Sequence, residues 1–264
     1  MNLFTDLQIK STFEAGNHNV ESLIAPLIEL ATDSSTLILG YGLGQVGIRE
    51  EMIPYFHVCG TKAAEVPVRA LIVGGWVGTE TVTPLAIARL LAAMEARLQL
   101  AEGIEVTAYP VANLEAHREN VFLTDRQQLP DVRCWENSPN SHVQVLEKEL
   151  CRYPYDVVFL LRQNPRAANA DVEAWLASDI QKTVLSDALK RHAEIDPQFR
   201  WKANPVRPVY ARTFTPMPET DKQPAEIIIG LPGALTPAEQ SGEALALILS
   251  LLHAVRQARQ EGIF

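Results

Sequence analysis

Five short segments of the chain are almost continuously apolar and have the length of a β-strand. Continuous rather than alternating apolarity is typical of strands covered on both faces, as in a parallel sheet. We therefore predict a buried, largely parallel central sheet from the segments Thr36–Leu39, Val68–Val73, Ile104–Val111, Asp156–Leu161 and Glu226–Ile229.

Apolar residues at helical spacing lie between these strands. Pro84–Leu100 begins with a proline, which suits the first turn of a helix. Two further helices are predicted over Ser141–Cys151 and Asp171–His192. The last helix begins with the sequence of a capping box, in which Thr236 and Glu239 bond to each other's backbone.

The alternation of strands and helices predicts an α/β fold. The expected architecture is a three-layer sandwich with a mixed, largely parallel central sheet and helices on both faces. We expect a single domain over residues 1–264, with its core over about residues 36–258. Phe199–Gln223 carries several prolines and little periodicity, and is predicted to be a long ordered loop near the functional face.

Composition excludes several classes of function. The net charge of −9 disfavours broad binding to nucleic acid, which needs a basic surface. No segment approaches the roughly 20 apolar residues of a membrane span, so no membrane partner is predicted. The first residues lack the pattern of a signal peptide, and the expected location is cytoplasmic. Three widely spaced cysteines do not predict a disulfide framework.

The residues that follow each strand are the first candidates for chemistry. In an open α/β sheet, ligands usually bind at the carboxyl ends of the strands. Polar or glycine-rich segments stand at four of these positions. They are residues 74–81, 113–118, 162–164 and 230–233.

The order of these segments resembles that of M14 zinc carboxypeptidases and their succinylglutamate-desuccinylase relatives. In that family the turn after the second strand reads G-G-x-H-G-x-E, and its histidine and glutamate bind zinc. This chain reads Gly-Gly-Trp-Val-Gly-Thr-Glu over residues 74–80. Glu80 therefore matches a zinc ligand, whereas Val77 stands in place of the histidine.

Two further positions of the family's site also differ. The third zinc ligand of the family is a histidine, where this chain has Arg162, and the general-base glutamate is replaced by Gly230. Valine and glycine side chains have no lone pair, and arginine stays protonated, so none of the three can bind a metal. The resemblance thus implies a protein that has lost zinc binding and peptidase activity, with no cofactor.

The resemblance also implies a cleft for a carboxylate. Asp125 and Arg126 stand where the family's asparagine and arginine hold the substrate's terminal carboxylate. Arg118 matches the arginine that polarises the scissile carbonyl. Together with Arg162, these side chains favour a peptide C-terminus or an acyl amino acid as the ligand. The sequence indicates no particular oligomeric state.

Two other functions are compatible with the same residues. One is an active amidohydrolase or carboxypeptidase with a rearranged site built on His117, Glu80 and Asp125, although His117 is more typical of an exposed loop histidine. The other is a structural or interaction subunit whose cleft is filled by side chains such as Trp76. A buried tryptophan is also ordinary core packing.

Glu80 and Arg162 can be arranged in two ways. They could form a bidentate bridge in which the guanidinium replaces the charge of the metal. Alternatively, Arg162 turns outward and Glu80 caps its helix. His142, on the helix predicted over Ser141–Cys151, is expected to pack or to face solvent.

Overall fold

A computed structural model describes residues 20–46, 49–60, 66–121, 141–176, 178–195, 199–204 and 224–264. Eight strands occur in these residues, namely β1 (Leu37–Val46), β2 (Arg49–Cys59), β3 (Val68–Val73), β4 (Ile104–Tyr109), β5 (Val157–Asn164), β6 (Asp171–Trp175), β7 (Arg200–Asn204) and β8 (Ala225–Pro232). The helices of the same ranges are α1 (Val20–Asp33), α2 (Val82–Ala96), α3 (Leu114–Glu119), α4 (Ser141–Arg152), α5 (Asp179–Ile195) and α6 (Pro237–Gln260), and a 3-10 turn covers Leu98–Ala101. None of these described helices is long and apolar enough to cross a membrane.

The strands form one mixed sheet in the order β1-β2-β4-β3-β5-β8-β6-β7. Its centre, β4-β3-β5-β8, is parallel. The β1–β2 hairpin extends one edge in antiparallel pairing, and β6 pairs antiparallel with β8 on the other side. The carboxyl ends of β3, β4, β5 and β8 therefore lie along one edge of the sheet.

Each face of the sheet packs against helices. On the first face, strand residues such as Ile72 and Phe159 share a core with Leu91 of α2 and Leu252 of α6. On the second face, Leu71, Val158 and Tyr109 form a core with residues of α3 and α4. The predicted α/β three-layer sandwich is therefore confirmed.

Glycines on β1 allow close packing on the second face. A Cβ atom on Gly42 would overlap the side chain of Val145, and one on Gly44 would lie 2.6 Å from the backbone oxygen of Ser141. Both of these neighbours belong to α4. The alternation of glycine along β1 thus allows α4 to lie directly on the edge of the sheet.

Several predicted elements agree with the structure. The predicted strand Val68–Val73 matches β3, and Ser141–Cys151 matches α4 to within one residue. The capping box is present, because the Thr236 side chain accepts from the Glu239 backbone and the Glu239 side chain accepts from the Thr236 backbone.

The prediction of one helix over Asp171–His192 was wrong in its first part. Asp171–Trp175 is strand β6, in which alternate residues are buried, and the helix begins only at Asp179. Pairing with β8, which lies far away in sequence, decides the conformation of this short segment. Strand β7 likewise occupies part of the predicted loop, whose remainder, residues 205–223, lies outside the described residues. Cys59 and Cys151 are free thiols, and Cys134 lies outside those residues as well.

Strand β8 carries a buried carboxyl group. Glu226 is 1% exposed, and neither of its side-chain oxygens has a hydrogen-bond partner. Burial raises the pKa of Glu226 to about 10. The group is therefore neutral in the folded protein at neutral pH, and its missing hydrogen bonds reduce stability.

We expect Glu226→Leu to raise the free energy of unfolding by about 1–3 kcal/mol at pH 5, because it removes an unsatisfied buried polar group. The folded-state pKa is raised above the unfolded value near 4.5, so wild-type stability falls as pH increases from there towards 10. The increase in the free energy of unfolding caused by Glu226→Leu should therefore be larger at pH 9. Urea denaturation of both proteins at the two pH values measures this increase.

Glu226→Gln is the matched control, because it keeps an unsatisfied polar group but does not titrate. It should gain stability relative to wild type only as the pH rises. A stability gain of Glu226→Leu that is the same at pH 5 and pH 9 would contradict the assignment of a neutral buried carboxyl.

Candidate functional site

The turn after β3 is bonded to the segment after β4. Gly74 donates to the Tyr109 carbonyl at 3.0 Å, and the backbones of Ala112 and Asn113 donate to the carbonyls of Gly74 and Gly75, each at 3.0 Å. Gly75 has a φ of +61°, and a Cβ atom on it would lie 2.7 Å from the carbonyl oxygen of Pro110. Glycine is required at this position for both reasons.

Glu80 is buried immediately before α2, with 4% of its surface exposed. Its Oε2 accepts a hydrogen bond from the Thr83 hydroxyl at 3.0 Å, and its Oε1 accepts from the backbone N–H of Gln163. The Thr83 oxygen in turn accepts from the Gly75 backbone at 2.9 Å. Burial raises the pKa of Glu80 to about 7. This carboxyl therefore joins the turn after β3, the start of α2 and the end of β5.

Arg162 and Asp171 form an ion pair that crosses β8. Arg162 on β5 and Asp171 on β6 are both register partners of Gly230 on β8, the strand between them. The Arg162 Nη2 lies 3.1 Å from the Asp171 Oδ2, and both side chains are partly exposed. A Cβ atom on Gly230 would overlap the Asp171 carboxylate. The missing side chain at Gly230 therefore makes room for this pair.

Asp171 is a site residue that the sequence did not indicate. It was placed within a predicted helix, whereas it begins strand β6. A glycine within the apolar strand Ala225–Pro232 was the available signal, since such a glycine often marks a close approach by another group.

The bridge between Glu80 and Arg162, one of the two alternatives, is not formed, because the two side chains have other partners. Arg162 points to Asp171, as in the outward alternative. The same alternative also predicted that Glu80 caps its helix, and this part was wrong, since Glu80 does not cap α2. The N-cap residue of α2 is Thr81, which makes no side-chain capping bond.

The candidate histidine differs from its prediction. His117 was expected in an exposed loop, but it lies in α3 and is 1% exposed. Its ring lies beside the turn after β3, where a Cβ atom on Gly75 would be 3.2 Å from the His117 Nε2. The burial follows from the helical turn that Asn113 starts by accepting a hydrogen bond from the Ala116 backbone.

Trp76 and His142 are core residues. Their rings pack edge to face with centroids 5.8 Å apart, and both side chains are buried. Burial lowers the pKa of His142 to about 4, so this ring is neutral at neutral pH. The packing predictions for both residues are confirmed.

Arg118 and Arg162 pair with different carboxylates. Arg118 is exposed, and its Nη1 lies 3.5 Å from the Glu51 Oε1 on β2. Arg162, by contrast, pairs with a carboxylate at the β6 side of the sheet. Asp125 and Arg126 lie outside the described residues.

The residues present do not fit the zinc site of M14 carboxypeptidases. Val77 has no donor atom and packs against the second core. Arg162 stays protonated, and both oxygens of Glu80 accept hydrogen bonds from the chain itself. Within the described ranges, no group of three His, Cys, Asp or Glu side chains could hold a metal ion.

Gly230→Ala should lower the free energy of unfolding by about 1–3 kcal/mol, because the added methyl displaces the Asp171 carboxylate from Arg162. In an Asp171→Ala background, Gly230→Ala should lower the free energy of unfolding by less, since the obstructing carboxylate is absent. Denaturant titrations of the four proteins measure this coupling.

Gly242→Ala is the matched control. Gly242 lies inside α6, and nothing is within 4 Å of a Cβ atom placed on it. This change should raise stability by up to about 1 kcal/mol, as expected for glycine to alanine in a helix. Equal costs of Gly230→Ala with and without Asp171 would contradict the assigned role of Gly230.

The fold is shared with solved metallocarboxypeptidases. A metallo-carboxypeptidase from Burkholderia cenocepacia aligns with a TM-score of 0.71 and 8% identity, over 89% of this chain and 69% of that chain. A metallo-carboxypeptidase from Pseudomonas aeruginosa gives a TM-score of 0.60 and 14% identity, over 90% of this chain and 68% of that chain. An aspartoacylase family protein from Mesorhizobium loti gives a TM-score of 0.56 and 17% identity, over 82% of this chain and 68% of that chain.

No family model and no curated protein matches the chain. The likeness is one of architecture, at 17% identity or less for these three structures. The chain therefore has the fold of the M14 metallocarboxypeptidases.

Proposed function

We propose that this chain has lost the zinc binding and peptidase activity of the M14 carboxypeptidases and binds a carboxylate-bearing ligand at the carboxyl edge of its sheet. The observation that carries the proposal is the pairing of polar groups where the family's metal and base would stand. Glu80 bonds to Thr83 and to the Gln163 backbone, and Arg162 pairs with Asp171 across Gly230.

The environment of Glu80 supports the loss of zinc. A carboxylate that binds zinc must direct a lone pair at the metal at roughly 2.0–2.2 Å. Both oxygens of Glu80 instead accept hydrogen bonds from its own chain. Burial raises the pKa of Glu80 to about 7, which favours the neutral form and reduces the cost of burying this group without a cation.

Arg162 supports the binding of a carboxylate. The guanidinium has five N–H donors, and its ion pair with Asp171 is made through Nη2. About half of the Arg162 side chain is exposed, so it can also reach a ligand. A planar guanidinium can hold two carboxylates on different edges. The proposed ligand is a peptide C-terminus or an acyl amino acid.

We expect N-acetyl-L-alanine to bind and its uncharged amide, N-acetyl-L-alaninamide, to bind at least about tenfold more weakly, because only the former pairs with Arg162. Arg162→Gln should weaken binding of the acid by about tenfold or more. Isothermal titration calorimetry at low salt measures these affinities.

Arg166→Gln is the matched control, since Arg166 is an exposed arginine in the turn after β5. It should leave the affinity unchanged. Equal binding of acid and amide would contradict the proposal, and so would an Arg162→Gln variant with wild-type affinity. Absence of binding by the acid would instead favour the structural or interaction subunit.

A second candidate function is hydrolysis of an amide without zinc. It is favoured by the pKa of Glu80 near 7, which suits a general acid or base, and by the buried His117 beside the same turn. Under this alternative, Glu80 and His117 would activate water in a rearranged site. Asp125, its third predicted member, lies outside the described residues.

We expect no hydrolysis of N-acyl amino acids by the purified chain, with or without added zinc, because no described group is placed to hold the metal. Release of the free amino acid, followed by chromatography, measures this. Turnover that survives a chelator and disappears in His117→Ala would support the second candidate function. Turnover that requires zinc would contradict the proposed loss of the metal.

A further inference from the structure

A cavity lies at the amino ends of the parallel strands, opposite the candidate functional site. Its volume is about 290 Å³. The lining comes from the first residues of β3 and β4, from β1 and β2, and from the end of α4 and the segment that follows it. The polar and aromatic residues that define it are Tyr55, His57, Thr107, Glu149, Tyr153 and Tyr155.

The shape of the cavity depends on a glycine. Tyr55 of β2 is the register partner of Gly40 on β1, and a Cβ atom on Gly40 would overlap the Tyr55 ring. The ring can therefore lie across the edge strand. It also packs against Tyr109, with ring centroids 5.4 Å apart. Tyrosine rings thus form much of the wall.

The lining carries an excess of negative charge. Arg69 and Glu105 neutralise each other, because Nε lies 3.0 Å from Oε2. His57 is bonded to the Thr107 hydroxyl at 3.1 Å, and burial lowers the pKa of its ring, which favours the neutral form. Glu149 remains, and no described side chain forms an ion pair with it, although the charge of Arg152 acts on Tyr55 in opposition to that of Glu149.

Glu149 is buried beside the phenols. It is 8% exposed, and its Oε1 accepts a hydrogen bond from the Tyr155 hydroxyl at 2.5 Å. Its negative charge also raises the pKa of the Tyr155 hydroxyl, after the larger effect of burial. A buried carboxylate with aromatic neighbours favours a cation over an anion or a neutral molecule.

One ring of the wall already binds a cation. The Arg152 guanidinium lies over the ring of Tyr153, 5.2 Å from its centroid. Arg152 does not line the cavity itself. Electrostatic attraction between a cation and a ring face is strongest where water is excluded.

We propose that this cavity binds a small organic ammonium ion, with the charge beside Glu149 and the carbon atoms against the tyrosine rings. The volume is at the lower limit for ligand sites, which favours a small amine over a peptide. A metal ion is disfavoured, because the described residues contain no cluster of three metal-binding side chains. The proposal does not rest on the function proposed for the carboxyl edge.

Choline and its uncharged isostere 3,3-dimethylbutan-1-ol are suitable probes, because they differ in charge and hardly in shape. We expect choline to bind, and the alcohol to bind at least about tenfold more weakly, since it lacks the attraction to Glu149 and to the rings. Saturation-transfer NMR and isothermal titration calorimetry on the full chain measure the two affinities.

Glu149→Gln should reduce the affinity for choline by about tenfold or more, because it removes the charge and can still accept the bond from Tyr155. Glu147→Gln is the matched control, since Glu147 is on the same helix but does not line the cavity. Tyr153→Leu, at a residue that is 42% exposed, removes an aromatic wall with little risk to folding. It should also weaken binding.

Choline that binds no better than the neutral alcohol would overturn the proposal. Wild-type affinity for choline in both Glu149→Gln and Tyr153→Leu would do the same. Binding of N-acetyl-L-alanine at the opposite edge should be unchanged in Glu149→Gln, so failure of one site can be distinguished from failure of the other.

Discussion

The four parallel strands at the centre of the sheet are covered on both faces, and this constraint determines where chemistry can occur. Their side chains, such as Ile72, Phe159 and Ile227, are fully buried in the first core. Polar groups can therefore meet solvent mainly at the two ends of the strands. One end carries Glu80 and Arg162, and the other carries the cavity around Glu149.

At the carboxyl edge, several polar groups satisfy one another, although the buried Oδ1 of Asp171 has no hydrogen-bond partner. Glu80 receives its hydrogen bonds from Thr83 and Gln163, and Arg162 receives its counter-ion from Asp171 across Gly230. Polar and charged groups that are buried without partners lower the free energy of unfolding. At this edge, Glu80 and Arg162 therefore have partners within the chain itself. Glu226, lower on the same strand as Gly230, is an exception that reduces stability.

At the amino edge, the packing leaves a space instead of closing it. Gly40 lets the Tyr55 ring cross β1 at this edge, whereas Gly42 and Gly44, farther along the strand, let α4 lie on the sheet. The cavity lies at the end of α4, and Gly40 and Tyr55 are among the residues that line it. Its tyrosines and Glu149 have a chemical character that differs from the guanidinium at the opposite edge. The ligands proposed for the two edges therefore have opposite charges.

The sequence by itself determined the central strands, the capping box of α6 and the lack of metal-binding atoms at Val77, Arg162 and Gly230. These features depend on residue type and local pattern, which are present in the chain before it folds. Only the tertiary structure decided that Asp171 faces Arg162, that His117 is buried and that Glu80 bonds to the Gln163 backbone. Those outcomes depend on strand order, register and the packing of helices on the sheet, because the partners come from separate elements. For Glu80 and Gln163, 83 positions separate them along the chain.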